Sequence, residues 1–276
     1  MSNVENIKRM KLYRHPERIY NELDAIGYKK GIQLKEGDIS PFDQYHYLGT
    51  DAIDDAIRSL KIDSEKKIID IGSGIGGPAR YLAEKTGCHV TALEIQPDLH
   101  AIACSLTERC GLSGSVQHLC GDILDFSERH CNFDIAVSWL SFLHISDRSS
   151  LLKKCHAILK PDGKMFIEDF YKRGEFDKEE AKVLSEDLYC AYLPTSEEYK
   201  EQLNENGFTE IELIDKTDCW KNFVRERMEK FIENRNRYIK IHNIKIVEEL
   251  EDFYKKMSRL FVGNNLGGLR IIAKKG

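Results

Sequence analysis

No stretch of this chain approaches the roughly 18 uncharged apolar residues of a membrane-spanning helix. Its first residues, MSNVENIKRMKLYRH, lack the apolar core of a secretory signal. The expectation is a cytoplasmic protein without a membrane partner. No C-x-x-C pair occurs among Cys88, Cys104, Cys110, Cys120, Cys131, Cys155, Cys190 and Cys219. Their irregular spacing suits reduced, mostly buried thiols better than disulfides. His118 and His130 lie near Cys120 and Cys131, but no compact ligand spacing joins them, so no metal is expected. Positive charge is not in excess either: 41 Lys and Arg stand against 46 Asp and Glu, a net charge of -5. That balance argues against a nucleic-acid partner. Basic residues do collect over Arg225–Lys240, but glutamates interrupt them, as on a solvated helix face.

What is present is an alternation. An N-terminal cap, residues 1–60, is helical around Glu17–Ile26 and loop-like through Gly31, Gly37, Ser40 and Pro41. It ends in a helix from Thr50 with Ile53, Ile57 and Leu60 on one face. Over residues 61–276 the pattern becomes strand Lys67–Ile71, a glycine turn, helix Pro78–Thr86, strand His89–Glu94 and helix Pro97–Cys110. Strands Ser115–Leu119 and Phe133–Ser138, a helix from Ser146 and strand Lys164–Asp169 follow. Such repetition specifies an α/β, doubly wound parallel sheet with helices on both faces. Later come helices Glu175–Leu188, Ser196–Asn206, Lys221–Tyr238 and Val247–Phe261, with strands Thr209–Ile214 and Leu269–Ala273 between and after them. These imply an antiparallel edge strand and helical lid insertions near 171–206 and 218–264. No internal repeat or low-complexity linker divides the chain, so one domain with caps is expected.

The densest signal is Ile68-Ile69-Asp70-Ile71-Gly72-Ser73-Gly74-Ile75-Gly76-Gly77-Pro78. Glycines directly after a first strand let the backbone turn sharply and let a ligand lie against it, and Pro78 suits a helix start. Glu94 ends the second strand, where a carboxylate can accept from both hydroxyls of a ribose. Gly121-Asp122-Ile123 follows the third strand and offers an acceptor for an adenine amino group beside an apolar contact. Asp70, inside the end of the first strand, needs partners that a cationic aminoacyl group or the loop amides can supply. A dinucleotide enzyme would share the turn and the acid. Its G-x-G-x-x-G is met here only with the third glycine displaced by one position.

With these residues in place, IIDIGSGIGGPARYLA resembles motif I of class I S-adenosylmethionine-dependent methyltransferases. LEIQPD, CGDILDF, FDIAVSWLSFLHISD and LKPDGKMFIEDF resemble the later motifs of their small-molecule subgroup, in order. That subgroup holds the phosphoethanolamine, sarcosine/dimethylglycine, tocopherol and sterol enzymes. The resemblance covers about Tyr45 to Phe208 well and implies a seven-stranded, Rossmann-like sheet. It also implies S-adenosyl-L-methionine as donor, leaving S-adenosyl-L-homocysteine, and a small-molecule acceptor; monomer and homodimer are both open. By it, Asp70, Gly72, Ser73 and Gly74 surround the methionyl part, and Glu94, Ile95 and Gln96 hold the ribose and adenine edge. Asp122 and Ile123 take the adenine, Ser138 lies under the sulfonium, and Tyr45 closes over the cofactor.

On the acceptor side, His144 resembles the histidine of an F/I-L-H motif that pairs with a tyrosine of the N-terminal cap. The cap segment Phe42-Asp43-Gln44-Tyr45-His46-Tyr47-Leu48-Gly49 also has its counterpart. His144 and Tyr47 are thus the expected catalytic pair, set against a purely structural histidine and ordinary loop packing. His46, Trp139, Leu140, Phe142, Tyr189, Tyr192 and Trp220 are the expected acceptor pocket, which favours an aromatic or partly apolar acceptor, set against simple packing of a lid core. Two departures matter. Leu140 replaces an acceptor-holding Asp, and Leu188-Tyr189-Cys190-Ala191-Tyr192-Leu193 carries no basic residue where a phosphate clamp belongs. N-methylation is the leading expectation, C- or O-methylation of a sterol, quinol or phenol the second, and a nicotinamide-dependent oxidoreductase or an idle cofactor-binding protein the others.

Overall fold

The computed structural model describes residues 7–127 and 132–276. Helix α1 (Arg18–Ala25) buries Ile19 and Leu23, four residues apart on one face. Helix α2 (Glu36–Asp43) occupies part of the segment expected to be loop. Burial of Ile39 and Asp43 overrides the weak propensity of Gly37 and Pro41, and two acids sit in the first turn. Helix α3 (Thr50–Leu60) completes the cap.

Then β1 (Lys67–Ile71), α4 (Gly77–Thr86), β2 (His89–Glu94), α5 (Pro97–Arg109), β3 (Val116–Cys120) and β4 (Phe133–Trp139) alternate. Helix α6 (Arg148–Ile158) opens on Asp147, whose side chain accepts from Ser150 N at 3.0 Å. It leads to β5 (Leu159–Lys172). Helix α7 (Lys178–Lys182), continued as a π turn over Val183–Asp187, and α8 (Ser196–Glu205) both begin with reciprocal capping boxes, Asp177 with Glu180 and Thr195 with Glu198. Strand β6 (Phe208–Asp215), helices α9 (Thr217–Glu233), α10 (Arg235–Ile241) and α11 (Ile244–Gly263), and β7 (Leu266–Lys275) close the chain. The single helix expected over Lys221–Tyr238 is therefore two, parted at Asn234.

The seven strands lie in the order β3-β2-β1-β4-β5-β7-β6. Strands β1 to β5 are parallel, with Ile69 opposite both Thr91 and Ala136. Strand β7 slots antiparallel between β5 and β6, so the edge strand β6 runs antiparallel to its one neighbour. This is the doubly wound sheet the alternation called for, antiparallel edge included. Side chains alternate across it: Ile69, Ala136 and Met165 pack on one face with Leu151 and Ile158, and Ile68, Val137 and Phe166 on the other with Ala79 and Leu82. A third cluster joins Tyr47, Phe170 and Trp220 to Val247 and Phe261 of α11. Strand order reverses between β1 and β4, so a crevice opens beyond their C-terminal ends, where α/β sheets bind ligands.

Candidate active site

The turn after β1 forms the floor of that crevice. Gly72 and Gly74 take φ of +74° and +56°, values that favour glycine. A Cβ on Gly72 would also run into the side chain of Ser141. Gly72 N and Ser73 N donate to Leu93 O at 2.9 and 3.0 Å, tying the turn to β2. Glu94 receives an amide on each oxygen, Gly74 N and Gln96 N, both at 2.8 Å. Burial pushes its carboxyl up to about 7 against the pull of those amides. Asp70 is 1% exposed, and its Oδ2 has no partner. Burial, then the Glu94 charge, lifts it to about 8. Beside them lies a cavity of about 90 Å³ lined by Gly72, Gly74, Glu94, Gln96, Asp122 and Ile123 among others. Asp122 caps the short turn Ile123–Asp125 by accepting from Leu124 N at 2.9 Å.

A second cavity, about 70 Å³, adjoins the first and is lined by Asp70 and Ser73, by Tyr45, His46 and Tyr47 of the cap, and by Trp139. Tyr13, Gly72, Gly74, Leu140 and His144 line both. His144 sits on the 3-10 turn Phe142–His144. That turn is braced by Asp169, which accepts from Leu143 N at 3.1 Å, Arg148 Nη2 at 3.1 Å and the Tyr199 hydroxyl at 2.5 Å. Burial drives the His144 imidazole down to about 4, against the backbone of Tyr189 and Leu188, so it is neutral near pH 7. Tyr13 meets it edge to face, with ring centroids 6.4 Å apart. Burial and then the Glu94 charge raise the Tyr13 phenol well above its ordinary value, keeping it protonated.

Most of the expected residues converge here: Tyr45, His46, Tyr47, Asp70, Gly72, Ser73, Gly74, Trp139, Leu140 and His144 on one cavity, and Glu94, Ile95, Gln96, Asp122 and Ile123 on the other. Five others do not. Ser138 is fully buried, donates to Ile71 O at 2.8 Å and lines neither cavity; the neighbouring Ser141 does line one. Phe142 points into the sheet core with Ile69 and Leu151. Trp220 is wholly buried beneath Tyr47, its ring 5.1 Å away. Tyr189 packs against the lid cluster, off the cavity wall. Tyr192 is exposed and accepts from Gln202 Nε2 at 2.9 Å.

Tyr47 lines the acceptor cavity but is wedged among Phe170, Phe223 and Phe261, with centroids 5.8 to 6.0 Å away. The tyrosine against His144 is Tyr13 instead. Tyr13 and Arg227 escape sequence reasoning: the first sits in a cap segment with no periodicity, and the second hides in the basic stretch read as a solvated face. Arg227 turns inward to donate to His46 O at 2.7 Å. Among the described residues no cluster of three or more His, Cys, Asp or Glu could hold a metal, and the described cysteines are free. His130 and Cys131 lie outside the described residues.

Residues 45–213 match the methyltransferase domain family. The chain belongs to this family. Phosphoethanolamine N-methyltransferase 1 of Zea mays is 27% identical over 82% of this chain and 45% of its own length. The Plasmodium falciparum phosphoethanolamine N-methyltransferase is 27% identical over 75% of this chain and 78% of its own. The methyltransferase domain described here thus spans about half of the maize relative. In fold it superposes on Haemonchus contortus phosphoethanolamine N-methyltransferase 2, in complex with phosphomonomethylethanolamine and S-adenosylhomocysteine, with TM-score 0.84. That match has 20% identity and covers 100% of this chain and 60% of the other. Family membership sets aside the oxidoreductase alternative. Among the described residues no helix is long and apolar enough to cross a membrane.

Proposed function

We propose that this chain transfers the methyl group of S-adenosylmethionine to the nitrogen of a small amine. Glu94, Asp70, Asp122 and the glycine turn hold the donor, and His144 and Tyr13 face the acceptor. One observation carries the reading: His144, Tyr13 and Leu140 stand on the wall common to the glycine-turn cavity and the aromatic-lined one. The residues fit the donor. Glu94 keeps acceptor lone pairs for a ribose diol beyond those used by Gly74 and Gln96. The unpartnered Asp70 oxygen suits an ammonium group, which would return the carboxyl to its charged form. When bound, S-adenosylmethionine supplies a methyl group already activated on a sulfonium.

The protein's own part is alignment, exclusion of water and removal of a proton. An amine attacks only as its free base. Burial among Tyr13, Tyr45 and Trp139 disfavours the charged acceptor, as it disfavours charged His144, so the ammonium releases its proton to bulk water before the site encloses it as the free base. Neutral His144 accepts a hydrogen bond from the acceptor N–H and aims the nitrogen lone pair. The phosphoethanolamine N-methyltransferases among its relatives act on nitrogen, which supports an amine over a sterol or phenol. The test is a panel of amines, phenols and sterols with methyl-labelled donor. Label in an N-methyl product is expected. Tight S-adenosylhomocysteine binding with no labelled amine would sink the proposal.

A further inference from the structure

The acceptor cavity offers no acid free to hold a cation. Among the described residues that line it, the carboxylates are Asp43 and Asp70. Asp43 is 2% exposed and pairs at 2.8 Å with Arg80, itself fully buried. Asp70 opens the glycine turn and is taken by the donor's ammonium group in the reading above. Arg227, the cation of this wall, donates to His46 O and gives an ammonium nothing to bind. His46 and His144 are kept neutral by burial, both down to about 4. Burial also keeps Tyr13, Tyr45 and Tyr47 protonated. Met10, Leu12, Leu143, Phe253 and Met257 make much of the remaining wall apolar.

Leu140 adds a second, independent observation. It takes φ of +56°, in the left-handed region that Asn and Asp enter far more readily than a branched aliphatic side chain. Its N–H donates to Glu168 O at 2.7 Å, which pins the turn out of β4. A backbone suited to Asp or Asn thus carries leucine, on the wall common to both cavities. Strain of this kind marks positions where the side chain serves the site.

An alkylamine meets two obstacles here. With a pKa near that of lysine, about 10.4, fewer than about one molecule in 10³ is free base at pH 7. No carboxylate of this wall is open to the rest. Once methylated, it would also hold its proton far more strongly than His144 can. A nitrogen conjugated to an aromatic ring escapes both obstacles. Delocalisation of its lone pair makes it a weak base, uncharged at pH 7 before reaction and readily deprotonated after it.

We propose that the methyl acceptor is an arylamine that enters as the neutral free base, and that Leu140 selects it over alkylammonium ions. The proposal rests on the amine reading above. The nitrogen lone pair forms the new N–C bond as the donor's S–C bond breaks, its electron pair staying on sulfur. The proton then shed by nitrogen passes to His144 and on to water, leaving an N-methylarylamine and S-adenosylhomocysteine.

The isomers para-ethylaniline and phenethylamine test this, since they differ only in where the nitrogen sits. With saturating methyl-labelled donor, the ratio of kcat/KM, aryl over alkyl, should be at least about tenfold at pH 7. It should fall by about tenfold per unit toward pH 9; taking a ratio cancels titration of the enzyme's own groups. A ratio of one or less at pH 7, or one indifferent to pH, overturns the proposal. Leu140→Asp should cut the ratio by at least about tenfold, and Leu140→Asn, uncharged at the same backbone angle, should not. Equal effects would remove Leu140 as a selector against charge. Melting curves check both variants, and if Leu140→Asp does not fold the wild-type pH series decides the acceptor. If no amine is labelled at all, the amine reading itself fails. Calorimetric titration of both isomers into the S-adenosylhomocysteine complex then decides the pocket. Para-ethylaniline should bind at least about tenfold more tightly at pH 7, with the gap closing toward pH 9. Equal affinity, or no saturable binding of either, overturns the assignment.

Discussion

Asp70 and Glu94 are two acids that burial makes costly to ionise, Asp70 raised to about 8 with the Glu94 charge adding to the effect, and Glu94 to about 7. Both lie far above the roughly 4 of an unfolded carboxyl. Between those limits the folded chain binds more protons than the unfolded one, so stability falls as pH rises through about 4 to 8. Asp70→Asn should therefore melt higher than wild type at pH 8 and differ less at pH 5, while binding S-adenosylhomocysteine more weakly. Thermal melts at both pH values decide it, and a lower melting point at pH 8 would contradict the argument. Glu94→Ala strands the Gly74 and Gln96 amides. A loss of cofactor affinity of about tenfold or more is expected in a binding titration. His144→Ala should keep cofactor affinity and lose turnover by about 10²-fold; an unchanged rate removes it from the mechanism. The donor-side residues were legible because each follows a strand in strict order, and strand order fixes the crevice. The acceptor side was not. Nothing in the letters around Phe142 and Trp220 distinguishes an aromatic that faces a cavity from one that faces the core, and Tyr13 is set by how the cap folds back.

At the scale of elements, three side chains from β5, α6 and α8 hold the turn that carries His144. Asp169 is wholly buried, and Arg148 and Tyr199 close around it. Burial raises the Asp169 carboxyl and the paired guanidinium opposes that rise. Arg148→Met would leave the aspartate without its cation, at a cost of about 3–5 kcal/mol. Urea denaturation should show it, and a loss under about 1 kcal/mol would mean the brace carries little. None of this triad was visible in sequence, since its members lie 21 to 51 residues apart on three elements. Strands β1 to β4, by contrast, were legible to within a residue, bounded by turns and, in β4, apolar enough to be covered on both faces. Strand β5 runs five residues earlier and three later than the expected Lys164–Asp169, through the Pro161-Asp162-Gly163 segment read as a turn. Helix α2 was not, because Gly37 and Pro41 disguise a segment that tertiary burial of Ile39 makes helical. The position of β7 between β5 and β6 likewise depends on pairing across some hundred residues, from Met165 to Ala273.

For the molecule as a whole, the question is what keeps the cap over the crevice. Asp43 of α2 reaches the buried Arg80 of α4 at 2.8 Å, directly behind the glycine turn, and so ties the cap to the sheet. On the far side, Glu22 of α1 grips His242 and Arg237 of the lid, with Asn21 at 3.4 Å from the same histidine. Burial alone would raise the Glu22 carboxyl, but its bond to His242 and the Arg237 guanidinium outweigh that and hold it below the usual value. Because its folded value is depressed, this clasp contributes stability above the unfolded value of about 4.3 and loses it as pH falls through the folded one. The two ties differ in what they join, so their loss should differ too. Glu22→Ala frees α1 from α10 while Asp43–Arg80 still anchors α2. Hydrogen exchange should then accelerate together in residues 18–25 and 235–241, with β1 to β5 unchanged. Acceleration confined to one of the two segments would show that the clasp does not couple them. Acceleration throughout the sheet would mean the cap is part of the global folding unit and not a separately opening lid.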